Sequence, residues 1–296
     1  MNGNNSLGVE INLPVANLPV AKIFQVCTTF LLGCIFLANS SSAVGQKLQT
    51  TGKQWPAAER VAIGKIQHDS FDKLLKKYVD KNGMVNYKAW HASTADRDKL
   101  TNYIESLSRA DLEQQAERGD KLAFWINAYN AVTLEGILRV YPTTSIRNHT
   151  AKALGYNVWK HLMLIVDDKQ INLDSIEHKV LRKMSEPRIH FAIVCASIGC
   201  PRLMNEAYVG KNIEKQLVTN TKDFFSRSQN LQFDSSRNAL RMNQILSWFG
   251  SDFGNSNNEQ LRAIHPYFPK EIQTAIGQNQ VSVEYLEYDW NLNAQK

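Results

Sequence analysis

Residues His190-Phe-Ala-Ile-Val-Cys195-Ala-Ser-Ile-Gly-Cys200-Pro201 bring one imidazole and two thiols into a single stretch of twelve. A thiol activated by a nearby histidine is the core of a cysteine hydrolase or transferase, because the thiolate attacks carbonyl carbon far better than the thiol. The Gly199-Cys200-Pro201 order predicts that Cys200 caps a helix, since proline suits the first helical position. A sulfur there would feel the positive helix end, which favours the thiolate. Cys200 is therefore the expected nucleophile and His190 its base, with His178 as a second imidazole. Cys195 stands as a partner thiol, and Glu177, Asn127, Asn130 or Asp289 as possible orienting groups. The same residues also allow a plainer arrangement: cysteines that fill the core or close a disulfide, and a histidine that is bonded but idle. Metal binding through His178, His190, Cys195 and Cys200 is disfavoured, because paired C-x2-C or H-x3-H spacing is missing. Asp167, Asp168 and Asp174 read as a turn and a cap, not as a calcium site. No cofactor is expected: glycine-rich phosphate loops and G-x-S-x-G elbows do not occur, which excludes nucleotide chemistry and the serine-hydrolase pattern.

These groups need a scaffold, and Gly119 to Pro142 is the segment around which it is expected to form. Apolar residues from Leu122 to Leu138 point nearly all round the helix axis, as in a helix enclosed by other elements. Asp120 is the expected N-cap, and Pro142 the stop. Asn127 and Asn130 share one side of this rod, where an unpartnered amide costs on the order of 1–3 kcal/mol. Both are expected to staple neighbouring loops. Helical spacing also marks 68–80, 94–107 and 211–227, with a short helix over 111–117 and a strand over 84–87. Hairpins are predicted for 162–166 with 170–173 and for 231–233 with 239–242. Asp174 with Glu177 reads as a capping box opening a helix to Lys183. Short helices follow over 246–253, 259–264 and from Pro269, and alternation marks a last strand over 281–288. The fold class is α+β, a single mostly helical domain around a buried central helix (about 120–141) with short antiparallel hairpins.

The N-terminal 43 residues differ in kind. Lys22 precedes an apolar run from Ile23 to Ala38, and small residues follow to Ala43. That order is a secretory signal with cleavage after Ala43, the apolar run being short for a span that needs roughly 20 residues. Lipidation at Cys34, within Leu31-Leu32-Gly33-Cys34, is the second reading. Residues 44–67 are expected to be a linker and 68–296 the single domain. Removing 1–43 takes Cys27 and Cys34 away and leaves Cys195 and Cys200. It also removes one lysine and one glutamate, so the formal charge of +6 is kept. That excess is spread over helical faces such as Lys73, Lys76 and Lys77, without interleaved aromatics, so no nucleic-acid partner is expected.

Four stretches carry a resemblance: Ala123 to Ala131, Leu173 to His178, His190 to Pro201, and Tyr288 to Asn293. In these the chain resembles the DUF547 family, from about Asp69 to its end. The resemblance implies an export signal in many members and no defined activity. One departure is Arg202, where the family pattern leads one to expect a second proline-like residue. The functional reading is an exported protein, periplasmic or extracellular, acting as a thiol-dependent hydrolase or acyltransferase on a small peptide-like substrate. The alternative is a non-catalytic protein that binds an envelope component and keeps its two cysteines for structure.

Overall fold

The computed structural model describes residues 48–149, 157–277 and 281–296. The segment read as a signal, with Cys27, Cys34 and the cleavage site at Ala43, lies outside the described residues. Val44–Lys296 makes one compact unit. In chain order its elements are β1 (Gln49–Thr51), β2 (Val61–Ala62), α1 (Asp69–Tyr78), α2 (Tyr87–Ala92), α3 (Thr94–Leu107), β3 (Ala110–Asp111) and α4 (Arg118–Val140). There follow α5 (Val158–His161), β4 (Leu162–Val166), β5 (Lys169–Asn172), α6 (Leu173–Ser175) and α7 (Ile213–Ser226). The chain then forms β6 (Leu231–Asp234), β7 (Ala239–Met242), α8 (Ile245–Trp248), α9 (Asn257–Ile264), α10 (Lys270–Ile276) and β8 (Ser282–Tyr285). Among the described residues no helix is long and apolar enough to cross a membrane.

Helix α4 is the rod that its composition demands: every residue from Leu122 to Leu138 is buried. It begins at Arg118, so Asp120 lies in the first turn and Glu117 takes the cap position without a side-chain bond. Asp120 instead faces Gly64 and Gly210, where an added Cβ would meet its carboxylate. Around α4 gather α1, α3, the β4–β5 hairpin and the cysteine loop, in one apolar core. A second core, built on Phe191, Phe224, Phe225, Leu240 and Phe253, lies under the C-terminal third.

Both predicted hairpins form antiparallel ladders, but each sheet also gains a parallel strand: β8, within the strand expected over 281–288, and β1, which local pattern did not reveal. Strand β1 pairs with β4, and β8 with β7. Residues 48–67 are accordingly no loose linker: Thr51, Ile63 and Ile66 are buried, and β2 pairs with β3. Val85 makes isolated bridges to Val79 and Ala294 instead of a strand, and Asn86 caps α2 from Tyr87. The stretch 111–117 is not helical, because Asp111 turns the chain by accepting from the Glu113 and Gln114 N–H groups. At 173, Asn172 and not Asp174 is the cap, accepting from Ser175 N at 2.8 Å. The chain then winds as a π-helical turn over Ile176–Leu181 and a 3-10 turn over Arg182–Met184. Glu177 is thereby freed from any capping role.

Candidate functional site

The cysteine loop is held at two levels. Asn130 on α4 donates to Ala192 O and accepts from Val194 N, both at 3.0 Å. Its neighbour Asn127 clamps Tyr208 in the same way, donating at 2.8 Å and accepting at 2.9 Å. Both asparagines are thus staples, and Asn127 lies away from the sulfurs. Beyond the clamp, Ala196 adopts a left-handed φ of 58°, which an alanine accepts only when its surroundings impose it. The chain end then supplies a second clasp: Ile198 N donates to Asn291 O and Gly199 N to Asp289 O, each at 2.8 Å. Gly199 must be glycine here, since a Cβ would fall 2.9 Å from Asp289 N. The expected helix after Cys200 does not form. Pro201 opens an irregular stretch, and helical turns resume only at Gly210. Proline fits an extended segment as well as a first helical turn.

Within this loop the two sulfurs lie 2.8 Å apart, as free thiols. Cys200 is buried, and its sulfur accepts from Cys195 N. Cys195 is half-buried, with Ser197 Oγ at 3.0 Å and Tyr288 Oη at 3.1 Å from its sulfur. The hydrogen bond from Cys200, joined by the Ser197 and Tyr288 hydroxyls, holds the Cys195 thiol below its ordinary range despite burial. Cys200 moves the other way, pushed up by burial and by its neighbour sulfur. Burial also keeps Tyr288 protonated and hence a donor.

His190 is almost wholly buried and stacks on Phe249, with ring centroids 4.1 Å apart and planes 18° from parallel. Its Nε2 lies 2.8 Å from Asp252 Oδ2, and Arg182 grips the same carboxylate through Nε at 2.7 Å and Nη2 at 2.6 Å. Arg182 and then His190 lower Asp252, whereas burial lowers His190 more than Asp252 raises it. A neutral imidazole whose Nε2–H meets a carboxylate keeps its lone pair on Nδ1. His178 stands outside this arrangement: half-exposed, it accepts from Arg182 Nη1 at 3.1 Å. Asp289 is exposed, and its carboxylate turns the chain through Asn291.

One cavity of about 120 Å³ joins the parts, with Cys195, Cys200, His190 and Glu177 in its wall. Neither sulfur has a histidine among its hydrogen-bond partners, so imidazole and thiols share the cavity and not a bond. Trp159, Trp248, Phe249, Tyr288 and Trp290 supply most of the remaining wall. Glu177 accepts from Tyr129 Oη at 3.2 Å, and burial raises its carboxyl above the ordinary range. A larger polar cleft of about 500 Å³ opens at the start of α4, beside His68, Asp72, Asp120 and Glu206, and no cysteine, serine or threonine is among its lining residues. Among the described residues no group of three or more His, Cys, Asp or Glu side chains could hold a metal ion. Asp252, Tyr288 and Ser197 are site residues that the sequence reading missed. Ser197 and Tyr288 had a signal, as members of the His190 to Pro201 and Tyr288 to Asn293 motifs, and Asp252 had none.

Residues 113–225 match the model of a family described as a protein of unknown function, DUF547. The matched span runs from before α4 through the cysteine loop to near the end of α7. No curated protein and no solved structure matches the chain.

Proposed function

We propose that this chain, which over residues 113–225 belongs to the DUF547 family, is an exported thiol enzyme, a hydrolase or acyltransferase, with Cys195 as its nucleophile. The observation that carries the reading is the set of three hydrogen-bond partners, Cys200 Sγ, Ser197 Oγ and Tyr288 Oη, around one half-buried sulfur in a cavity that His190 also lines. Donors placed on a sulfur stabilise its anion, and the anion is the nucleophile. Cys200, the nucleophile expected from the sequence, is here a supporting donor. In the step proposed, the Cys195 sulfur bonds to an acyl carbon and the leaving group departs with the proton that the thiol gave up. His190, fixed by Asp252, is the group in the cavity able to carry that proton. Water or a second acceptor then takes the acyl group and restores the thiol. Export rests on the order of charge, apolar run and small residues over 22–43. Sequencing the N-terminus of the protein recovered from the envelope fraction tests it, with a start at Val44 expected.

Alkylation with iodoacetamide tests the thiol reading. Cys195 is expected to label faster than a free cysteine at neutral pH, and its rate to fall as pH drops through the lowered thiol range. A native protein whose Cys195 stays unlabelled under reductant would sink this reading. The 2.8 Å between the sulfurs favours a second one, in which the pair closes to a disulfide and the cavity only binds. Counting thiols in the denatured protein, with and without reductant, separates the two.

A further inference from the structure

The cavity has a charge character that the thiol alone does not explain. Among the described residues its wall contains no lysine or arginine, and its one carboxylate, Glu177, is half-buried beside Tyr129. Trp248, Tyr288 and Trp290 form a cluster at one side, with centroids 4.9, 4.5 and 5.8 Å apart for the three pairs. Trp248 is 46% exposed, so the cluster reaches from the wall to solvent. Rings of this neighbourhood already hold cations: Arg147 lies 5.2 Å over Trp290, and Arg182 lies 5.5 Å over Phe249. Neither of these cations lines the cavity.

We propose that this aromatic cavity receives the ammonium group of an amine-bearing substrate, held by Glu177 and by the faces of Trp290, Tyr288 and Trp248. Ring faces attract cations, and the attraction grows when water is excluded. The charges around Glu177 are mixed: Asp174 raises its carboxyl, whereas His178 and Arg182 lower it, and Arg182 is also bound to Asp252. Within the described wall the one acidic side chain is Glu177, and no arginine or lysine faces it there, which favours a cation over an anion. A sugar ring would also lie well on tryptophan, but it needs many polar partners. Here the Tyr129 hydroxyl is used by Glu177 and the Tyr288 hydroxyl by the cysteine loop. A volume of about 120 Å³ suits one side-chain-sized group and not a whole ligand of ordinary size.

As a statement about substrate, the inference rests on the thiol-enzyme reading; the binding measurement does not. Tryptophan fluorescence of the whole protein is titrated with n-butylammonium, which is the lysine side chain in isolation, and with 1-butanol, butyrate and a neutral monosaccharide. The ammonium is expected to bind at least about fivefold more tightly than the alcohol, and butyrate not at all. Glu177→Gln should bring ammonium and alcohol to equal affinity. Trp290→Leu, at a partly exposed position, should weaken the ammonium without loss of the thermal transition. The ammonium should also protect Cys195 from iodoacetamide. Equal binding of ammonium and alcohol by the native protein, or tighter binding of butyrate or the monosaccharide, would overturn the proposal. An inert Cys195 with the ammonium preference intact would strike the enzyme reading alone.

Discussion

At Cys195, hydroxyls 3.0 and 3.1 Å away do what a helix end was expected to do for Cys200. Replacing Tyr288 by Phe removes one of these donors and keeps the ring. The thiol should then rise toward its ordinary value, and the alkylation profile should shift to higher pH, with a rate at pH 7 lower by about three- to tenfold. Asn130→Ala acts differently, because it strands Ala192 O and Val194 N in an apolar interior. A loss of about 2–3 kcal/mol in urea unfolding is expected, together with a slacker cysteine loop. His190, Cys195 and Cys200 were all legible as candidates because they lie in one contiguous stretch, although Cys200 and not Cys195 was expected to be the nucleophile. Asp252 and Tyr288 were not, since they arrive from 62 and 93 residues downstream by tertiary contact that leaves no local mark.

Helix α4 is where sequence and fold agree most closely, because apolar residues on every side admit one outcome: enclosure. Phe124 is fully buried, and Phe124→Ala should cost about 3–5 kcal/mol, read as a fall in the urea midpoint. The hairpins were legible for a similar reason, with alternation and a turn at Asp167-Asp168, both at left-handed φ. The strand β8 was expected but its parallel pairing was not, and β1 escaped notice altogether, because such pairing joins strands distant in sequence. The cap at 172 shows the limit from the other side. Asn172 and Asp174 are both good caps, and only the end of β5 decides that Asn172 is used. That shift of two residues turns Glu177 from a capping side chain into part of the cavity wall.

Over the whole molecule, the start of α1 is tied to α3 at a half-buried histidine. His68 Nδ1 lies 2.8 Å from Tyr103 Oη, and burial lowers the imidazole from 6.5 to about 4. Between these values the unfolded chain takes up a proton that the folded chain refuses. Stability is therefore full above about pH 6.5 and is lost as pH falls toward 4, by up to about 3 kcal/mol. Urea midpoints across that range should show the slope, and His68→Gln should flatten it. The other tie is the clasp of residues 289–293 on the cysteine loop, with Tyr288 beside Cys195. Chains are made from the N-terminus forward, so a ribosome must add 93 more residues after Cys195 before Tyr288 exists to touch it. Until then the sulfur lacks a donor and its cavity lacks a wall. On the proposed thiol-enzyme reading, a nascent or prematurely ended polypeptide therefore carries the thiol in a dormant form, and reactivity switches on with the closing stretch of synthesis.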